Sequence, residues 1–335
     1  MNTVGFIAFY PSLPIWVGDR PDLSTARSEA HRSGLISEEV FSDVGGSHSV
    51  RVDRDGRILI RAERLERSLE DHELPNMDME DNIFRLGEYL NLLNAFYILL
   101  DSAVVELQKI QLFSLHEITM RDVIRVHMTD DGKLRTENTA TESVTASFQR
   151  FRSGPIEGWA SSNNRYVVSI EAIRLASENF RKAVNNGELI GKLASLAKSV
   201  SEYKGGNFQT AVILSWFIIE AGIFSLWQNF LSERDVDLGG GRRRVNSKRR
   251  KDLLDRSYTS SVVSNVLELS GVIPYEEFHT LDKLRRLRND IVHGAQVTVR
   301  LLDAEEAIRA ACRMAERQLR MPLRPGLGYS MFLLR

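Results

Sequence analysis

The sequence of 335 residues contains one cysteine, Cys312. A lone cysteine excludes an internal disulfide and any cysteine-based metal cluster, and it fits a reducing compartment, so the cytoplasm is the expected location. Net charge is nearly absent as well: 44 lysines and arginines face 45 aspartates and glutamates, leaving −1. Overall charge thus singles out no partner, and any nucleic-acid site must arise from local clustering. The first ten residues lack a basic stretch and lead into Pro11, so a secretory signal peptide is not expected. There is no internal repeat and no heptad run of coiled-coil length. Neither His-Glu-x-x-His nor Cys/His ligand spacing occurs, so no metal is expected. No Gly-x-Ser-x-Gly elbow supports serine catalysis. Gly239-Gly240-Gly241 follows a helical stretch and precedes arginines, so no dinucleotide cofactor is expected either.

What is present is apolar material for a sizeable core, 43% of the residues, in a length that suits two domains. The first part reads as α+β. Val4 to Tyr10 is a short apolar strand ended by Pro11. Alternating strands around Val50 and Leu59 flank Arg54-Asp55-Gly56, a good hairpin signal. A second hairpin is expected from Asp122–His127 and Lys133–Thr136 around Asp130-Asp131-Gly132. Between the hairpins, Leu86, Leu90, Leu93, Tyr97, Leu100, Val104, Leu107 and Ile110 recur at helical spacing and predict a helix from about 79 to 113. Residues 138–164 are polar and turn-rich. Beyond them, helices are expected at about 167–184, 187–203, 207–232, 259–270, 276–293 and 303–320. The expected organisation is therefore an α+β domain over 1–150, a linker over 151–164, an all-α bundle over 165–321 and a tail over 322–335. The tail is apolar enough to dock, through Met331, Phe332, Leu333 and Leu334. No role is assigned to the first domain; sensing or partner binding would be an analogy.

One stretch imitates a membrane span. Between Lys204 and Glu233 the only charge is Glu220. A span needs ~20 largely apolar residues, and a carboxylate near its centre is costly there. A buried core helix is the better reading, and no membrane partner is expected.

Charge, a histidine and an apolar stripe coincide at Leu284-Arg285-Arg286-Leu287-Arg288-Asn289-Asp290-Ile291-Val292-His293-Gly294. At 100° per residue, Leu281, Leu284, Leu287, Ile291 and Val292 fall on one side, with Asp282, Arg286, Asn289 and His293 on the other. Arg288 lies inside the apolar arc. A buried guanidinium keeps its charge and needs a partner or a ligand. Glu220 is the isolated opposite charge, so an Arg288–Glu220 pair is expected. Gly294 is the expected helix C-cap. On an ideal helix Arg288 and His293 point ~140° apart, unless the arginine wraps round or a second chain completes the site. A separate basic cluster, Arg242, Arg243, Arg244, Lys248, Arg249, Arg250 and Lys251, follows the triple glycine. It reads either as a solvated flexible loop or as a grip on phosphate backbone. Without interleaved aromatics, it offers no base stacking.

Arg288-Asn289-Asp290-Ile291-Val292-His293 resembles the signature of the HEPN superfamily (higher eukaryotes and prokaryotes nucleotide-binding domain): Arg, often a polar residue next, then His after four to six residues, on a late helix of a small bundle. Ser215-Trp216-Phe217-Ile218-Ile219-Glu220 resembles the apolar helix with an embedded Glu found in many members. The resemblance covers about 165–320. It implies a metal-independent endoribonuclease of the kind found in toxin–antitoxin, abortive-infection and other anti-phage systems. It further implies a homodimer whose Arg and His face a shared cleft, RNA as substrate and an antitoxin or regulatory protein as a further partner. Arg288 and His293 would be catalytic with Asn289 beside them, Glu220 and Asp290 supporting, and Arg285, Arg286 and the basic cluster binding RNA. The chemistry suits these residue types. The 2′-hydroxyl attacks the adjacent phosphate, histidine moves protons near neutral pH, and a fixed arginine stabilises charge on phosphoryl oxygens.

Two other readings use the same residues. One is a non-catalytic HEPN-like module that binds RNA, nucleotide or protein; the other is a helical dimerisation scaffold. In both, Arg288–Glu220 is structural and His293 is a cap. His48, His72, His116, His127 and His279 read as ordinary polar residues, and Trp216 and Trp227 as core.

Overall fold

The structure, a computed structural model, describes residues 4–12, 14–66, 79–111, 115–129, 134–136, 165–294 and 297–328. The expected linker and the apolar end of the tail, Met331 to Leu334, lie outside the described residues.

Alternation of apolar residues builds the sheet. Strands β1 (Val4–Phe9), β3 (Glu39–Val44), β4 (His48–Asp53), β5 (Ile58–Ala62), β6 (Ile124–Met128) and β7 (Leu134–Thr136) form one antiparallel sheet in the order β3-β4-β5-β1-β6-β7. Along β1, Ile7 and Phe9 face the main core, while Phe6, Ala8 and Tyr10 join Leu59, Ile124 and Val126 in a small cluster on the other face. That is the two-residue period of a strand. The strands of both expected hairpins pair, Val50 with Ile60 and Val126 with Thr136; the turn expected at Asp130-Asp131-Gly132 lies outside the described residues. Gly56 turns the first with φ +85°, where a Cβ would come within 2.5 Å of Ile15. Strand β3 and the short helix α1 (Glu29–Ile36) were not expected. Their apolar residues are too few and too scattered to show a period; only Ile36 of α1 is buried. Strand β2 (Ile15–Val17) pairs in parallel with β8 (Tyr166–Val168).

A one-turn helix, α2 (Glu63–Glu66), follows β5, and then the long α3 (Met79–Gln108). The later helices are α4 (Ile170–Ala183), α5 (Gly187–Lys204), α6 (Phe208–Glu233), α7 (Ser247–Leu253), α8 (Ser260–Leu269), α9 (Tyr275–Val292) and α10 (Leu301–Leu319). Side chains at the preceding residue cap α4, α5, α7 and α8. Helix α3 packs against α4 and α5, and one continuous apolar cluster runs from Ile7 through Phe96 and Phe180 to Ala311. The expected sheet-containing and helical parts are therefore present, but they share a core. Helix α3 is hydrophobic on most of its circumference, so it serves the sheet on one side and the bundle on the other. Both α3 and α6 are long and apolar enough to cross a membrane; from Ile83 to Gln108, 72% of the most apolar window of α3 is buried, and 50% of that of α6.

The segment after α10 straps the two parts together. Gly326 N–H donates to Asp101 Oδ2 at 2.7 Å and Arg324 N–H to Ser102 Oγ at 2.7 Å, both on α3. From α5, Tyr203 Oη donates to the Leu327 carbonyl at 3.1 Å, and Lys204 donates to that of Gly328.

Candidate active site

The motif closes α9. Leu281 and Leu284 are buried, and Leu287 and Ile291 pack on the core as the apolar stripe requires. His293 is the C-cap and Gly294 follows with φ +78°, the left-handed turn that glycine accepts without strain. The His293 side chain is exposed at the negative end of the helix dipole. Arg288 is half-buried, where its place in the stripe predicts a buried side chain. Its Nη1 donates to Asn289 Oδ1 at 3.1 Å. Asn289 and His293, four residues apart, lie on one helix face. The hydrogen bond ties the guanidinium to Asn289, which lies on the helix face that carries His293. Arg288 Nε is buried without a hydrogen-bond partner among the described residues.

The expected pair with Glu220 does not form. Arg288 makes its hydrogen bond within its own helix, and Glu220 stays half-buried on α6 with no ion-pair partner among the described residues. On α6, one turn from Glu220, Phe217 is 51% exposed; at the end of α9, Val292 is 49% exposed.

The neighbouring arginines are restrained by a residue that carried no expected role. Asp282 accepts Arg285 at 2.8 Å and Arg286 at 2.7 Å. The hydrogen bond from Arg285, then the charges of both arginines, hold the Asp282 carboxyl below the usual carboxylate range. The spacing of three and four residues was readable as helical ion pairs. Asp290 is exposed. His279 packs edge-on against Tyr275, with ring centroids 4.4 Å apart. It also lines an open groove of 470 Å³ with Asp282, Lys283, Arg286, Asp290 and Asp303. Among the described residues no three His, Cys, Asp or Glu side chains gather as a metal site would require.

The basic cluster is folded. Leu238 N–H donates to the Arg242 carbonyl at 2.8 Å and Arg244 N–H to that of Val236 at 3.0 Å, which makes a small hairpin. Its tip is Gly239-Gly240-Gly241, all at positive φ. Asp235 is the hub: it takes Arg243 Nε at 2.9 Å and Val245 N–H at 3.2 Å, with Arg250 at 3.9 Å. Asn246 then caps α7 by accepting from Arg249 N–H. Arg249 Nη1 donates to the Arg244 carbonyl. The side chains of Arg242, Arg244, Lys248 and Lys251 are exposed and have no partner among the described residues.

Contacts along the helices fix where the cluster lies. Lys283 on α9 pairs with Asp303 and Glu306 near the start of α10, and Glu277 with Arg317 near its end, so α9 and α10 are antiparallel. A Cβ on Gly222 of α6 would meet Met314, and Ser225 accepts from Gln318, so α6 and α10 are parallel. The end of α9 therefore lies beside the start of α6, where Gln209 Nε2 donates to the Val297 carbonyl at 3.1 Å. The basic unit lies at the other end of α6: Trp227 Nε1 donates to the Leu253 carbonyl and Arg250 to Ser232. At 1.5 Å per residue the two features of one chain are about 30 Å apart.

Compared with models of protein families, with curated proteins and with solved structures, this chain matches none.

Proposed function

We propose that the chain is a metal-independent endoribonuclease of HEPN type. The observation that carries the reading is the Arg288–Asn289 hydrogen bond, which ties an arginine with no carboxylate partner among the described residues to the helix face of an exposed histidine. The 2′-oxygen of a ribose bonds to the adjacent phosphorus while the bond from phosphorus to the 5′-oxygen breaks. A 2′,3′-cyclic phosphate and a 5′-hydroxyl result. His293 accepts the 2′-hydroxyl proton or protonates the departing 5′-oxygen. Arg288 stabilises the charge on the non-bridging oxygens. Asn289 positions the guanidinium.

One histidine per chain serves one of the two proton transfers, so a homodimer completes the site. Support comes from apolar side chains left exposed on the two helices, Phe217 on α6 and Val292 at the end of α9, which a second copy would cover. A cytoplasmic toxin or anti-phage effector, restrained by an antitoxin or regulatory protein, fits this activity. A second reading, a non-catalytic HEPN-like module, draws on one observation: Asp282 engages both arginines beside the motif, which leaves less positive charge for RNA.

The test is cleavage of total RNA in EDTA. Arg288→Ala and His293→Ala each abolish it with unchanged circular dichroism; undiminished cleavage by either variant removes the nuclease reading.

A further inference from the structure

We propose that the basic unit from Asp235 to Asp252 is a separate anchor for RNA backbone, so that the substrate is long RNA held at two places. The inference rests on the RNA reading above. Three observations carry it. The segment is built as a hairpin and a capped helix around Asp235, and is not a loose loop. That scaffold holds seven cations against three carboxylates in a chain whose net charge is −1. Like charges gathered on a fixed frame repel one another, and a polyanion relieves that repulsion. Arg242, Arg244, Lys248 and Lys251 point to solvent with nothing bonded to them among the described residues.

The position matters as much as the charge. The unit is about 30 Å along α6 from Arg288 and His293 of its own chain, the length of α6 being set by 1.5 Å per residue. At ~3.4 Å per phosphate along a stacked strand, that distance takes up about nine phosphates. A short oligonucleotide occupies one place or the other; a longer one gains by occupying both, because the second contact becomes intramolecular. The cations surround α7 rather than forming one face opposite an apolar stripe, which favours a flexible phosphate chain over a flat lipid surface.

The experiment measures binding of uncleavable 2′-O-methyl RNAs of 4 and 20 nucleotides by fluorescence anisotropy over a range of salt. It compares the full chain with the combined variant Arg242→Gln, Arg244→Gln, Lys248→Gln, Lys251→Gln. The variant binds the 20-mer at least tenfold more weakly, and the slope of log affinity against log salt falls by about 3, from four contacts at about 0.7 each. The preference for the 20-mer over the 4-mer shrinks with it. Unchanged affinity and slope overturn the anchor. An equal loss on both lengths overturns its separation from the motif. Loss of binding to phosphatidylserine vesicles with RNA binding intact assigns the unit to a membrane surface and overturns the proposal. Binding is read without cleavage, so a chain that behaves as expected here and cleaves nothing refutes the nuclease reading alone.

Discussion

Replacing Asp101 with asparagine tests the join between the sheet and the bundle. Asp101 is fully buried on α3; its Oδ2 accepts the Gly326 N–H of the C-terminal strap, and its Oδ1 has no hydrogen-bond partner among the described residues. Burial pushes its carboxyl up to about 7, against the opposing pull of the Gly326 N–H and the Lys204 charge. In the unfolded chain the carboxyl keeps its ordinary value near 3.8. Between those two values the folded chain binds more protons than the unfolded one. The contribution of Asp101 to stability is therefore full below about pH 4 and declines as pH rises toward 7. A gap of about three pH units corresponds to about 4 kcal/mol. Asparagine keeps the acceptor for Gly326 and has no charge to bury, while its amide leaves about 1 kcal/mol of unmet hydrogen bonding. Lys204, which burial pushes down to about 8, is about half neutral at pH 8, which limits the attraction lost there. Asp101→Asn is thus expected to destabilise by about 1 kcal/mol at pH 3 and to stabilise by up to about 3 kcal/mol at pH 8. Urea unfolding followed by circular dichroism at both values reads the difference. A shift of equal size and sign at both pH values refutes the reasoning.

Asn289→Ala removes the acceptor to which Arg288 is tied; single-turnover cleavage is expected to fall about 10- to 100-fold with KM little changed and the unfolding midpoint preserved. A KM effect with intact turnover would make Asn289 a substrate contact instead of a positioning residue. Gly222→Ala places a Cβ about 2.8 Å from Met314 Cβ at the crossing of α6 and α10. It should cost about 1–3 kcal/mol, seen as a lower thermal midpoint; an unchanged midpoint speaks against the close approach of these helices.

Much of the fold was legible because its signals are local. Asp-Gly between alternating strands marked the first hairpin, and the three- and four-residue recurrence of leucine marked α3. The ends of α9 were readable from its apolar period and Gly294. The pairing of β2 with β8 joins residues 151 apart and leaves no local trace. The shared core was hidden for a related reason: an all-apolar helix does not reveal how many neighbours it has. At the candidate site, the helical wheel placed Arg288 in the apolar stripe, where it is half-buried. Its partner was not, because two lone opposite charges suggest a pair only while geometry is ignored. The guanidinium instead finds the next residue on its own helix. The basic cluster was visible as composition, whereas its hub, Asp235, belongs to it only through the fold.

The central claim is that Arg288 and His293 direct attack by the ribose 2′-hydroxyl. The most direct measurement is single-turnover cleavage, in EDTA, of a 20-nucleotide RNA by the full chain and by His293→Ala, with the product ends identified. The full chain is expected to leave 2′,3′-cyclic phosphate and 5′-hydroxyl ends and the variant none; 5′-phosphate ends, or equal cleavage by His293→Ala, would rule out attack by the 2′-hydroxyl at this site.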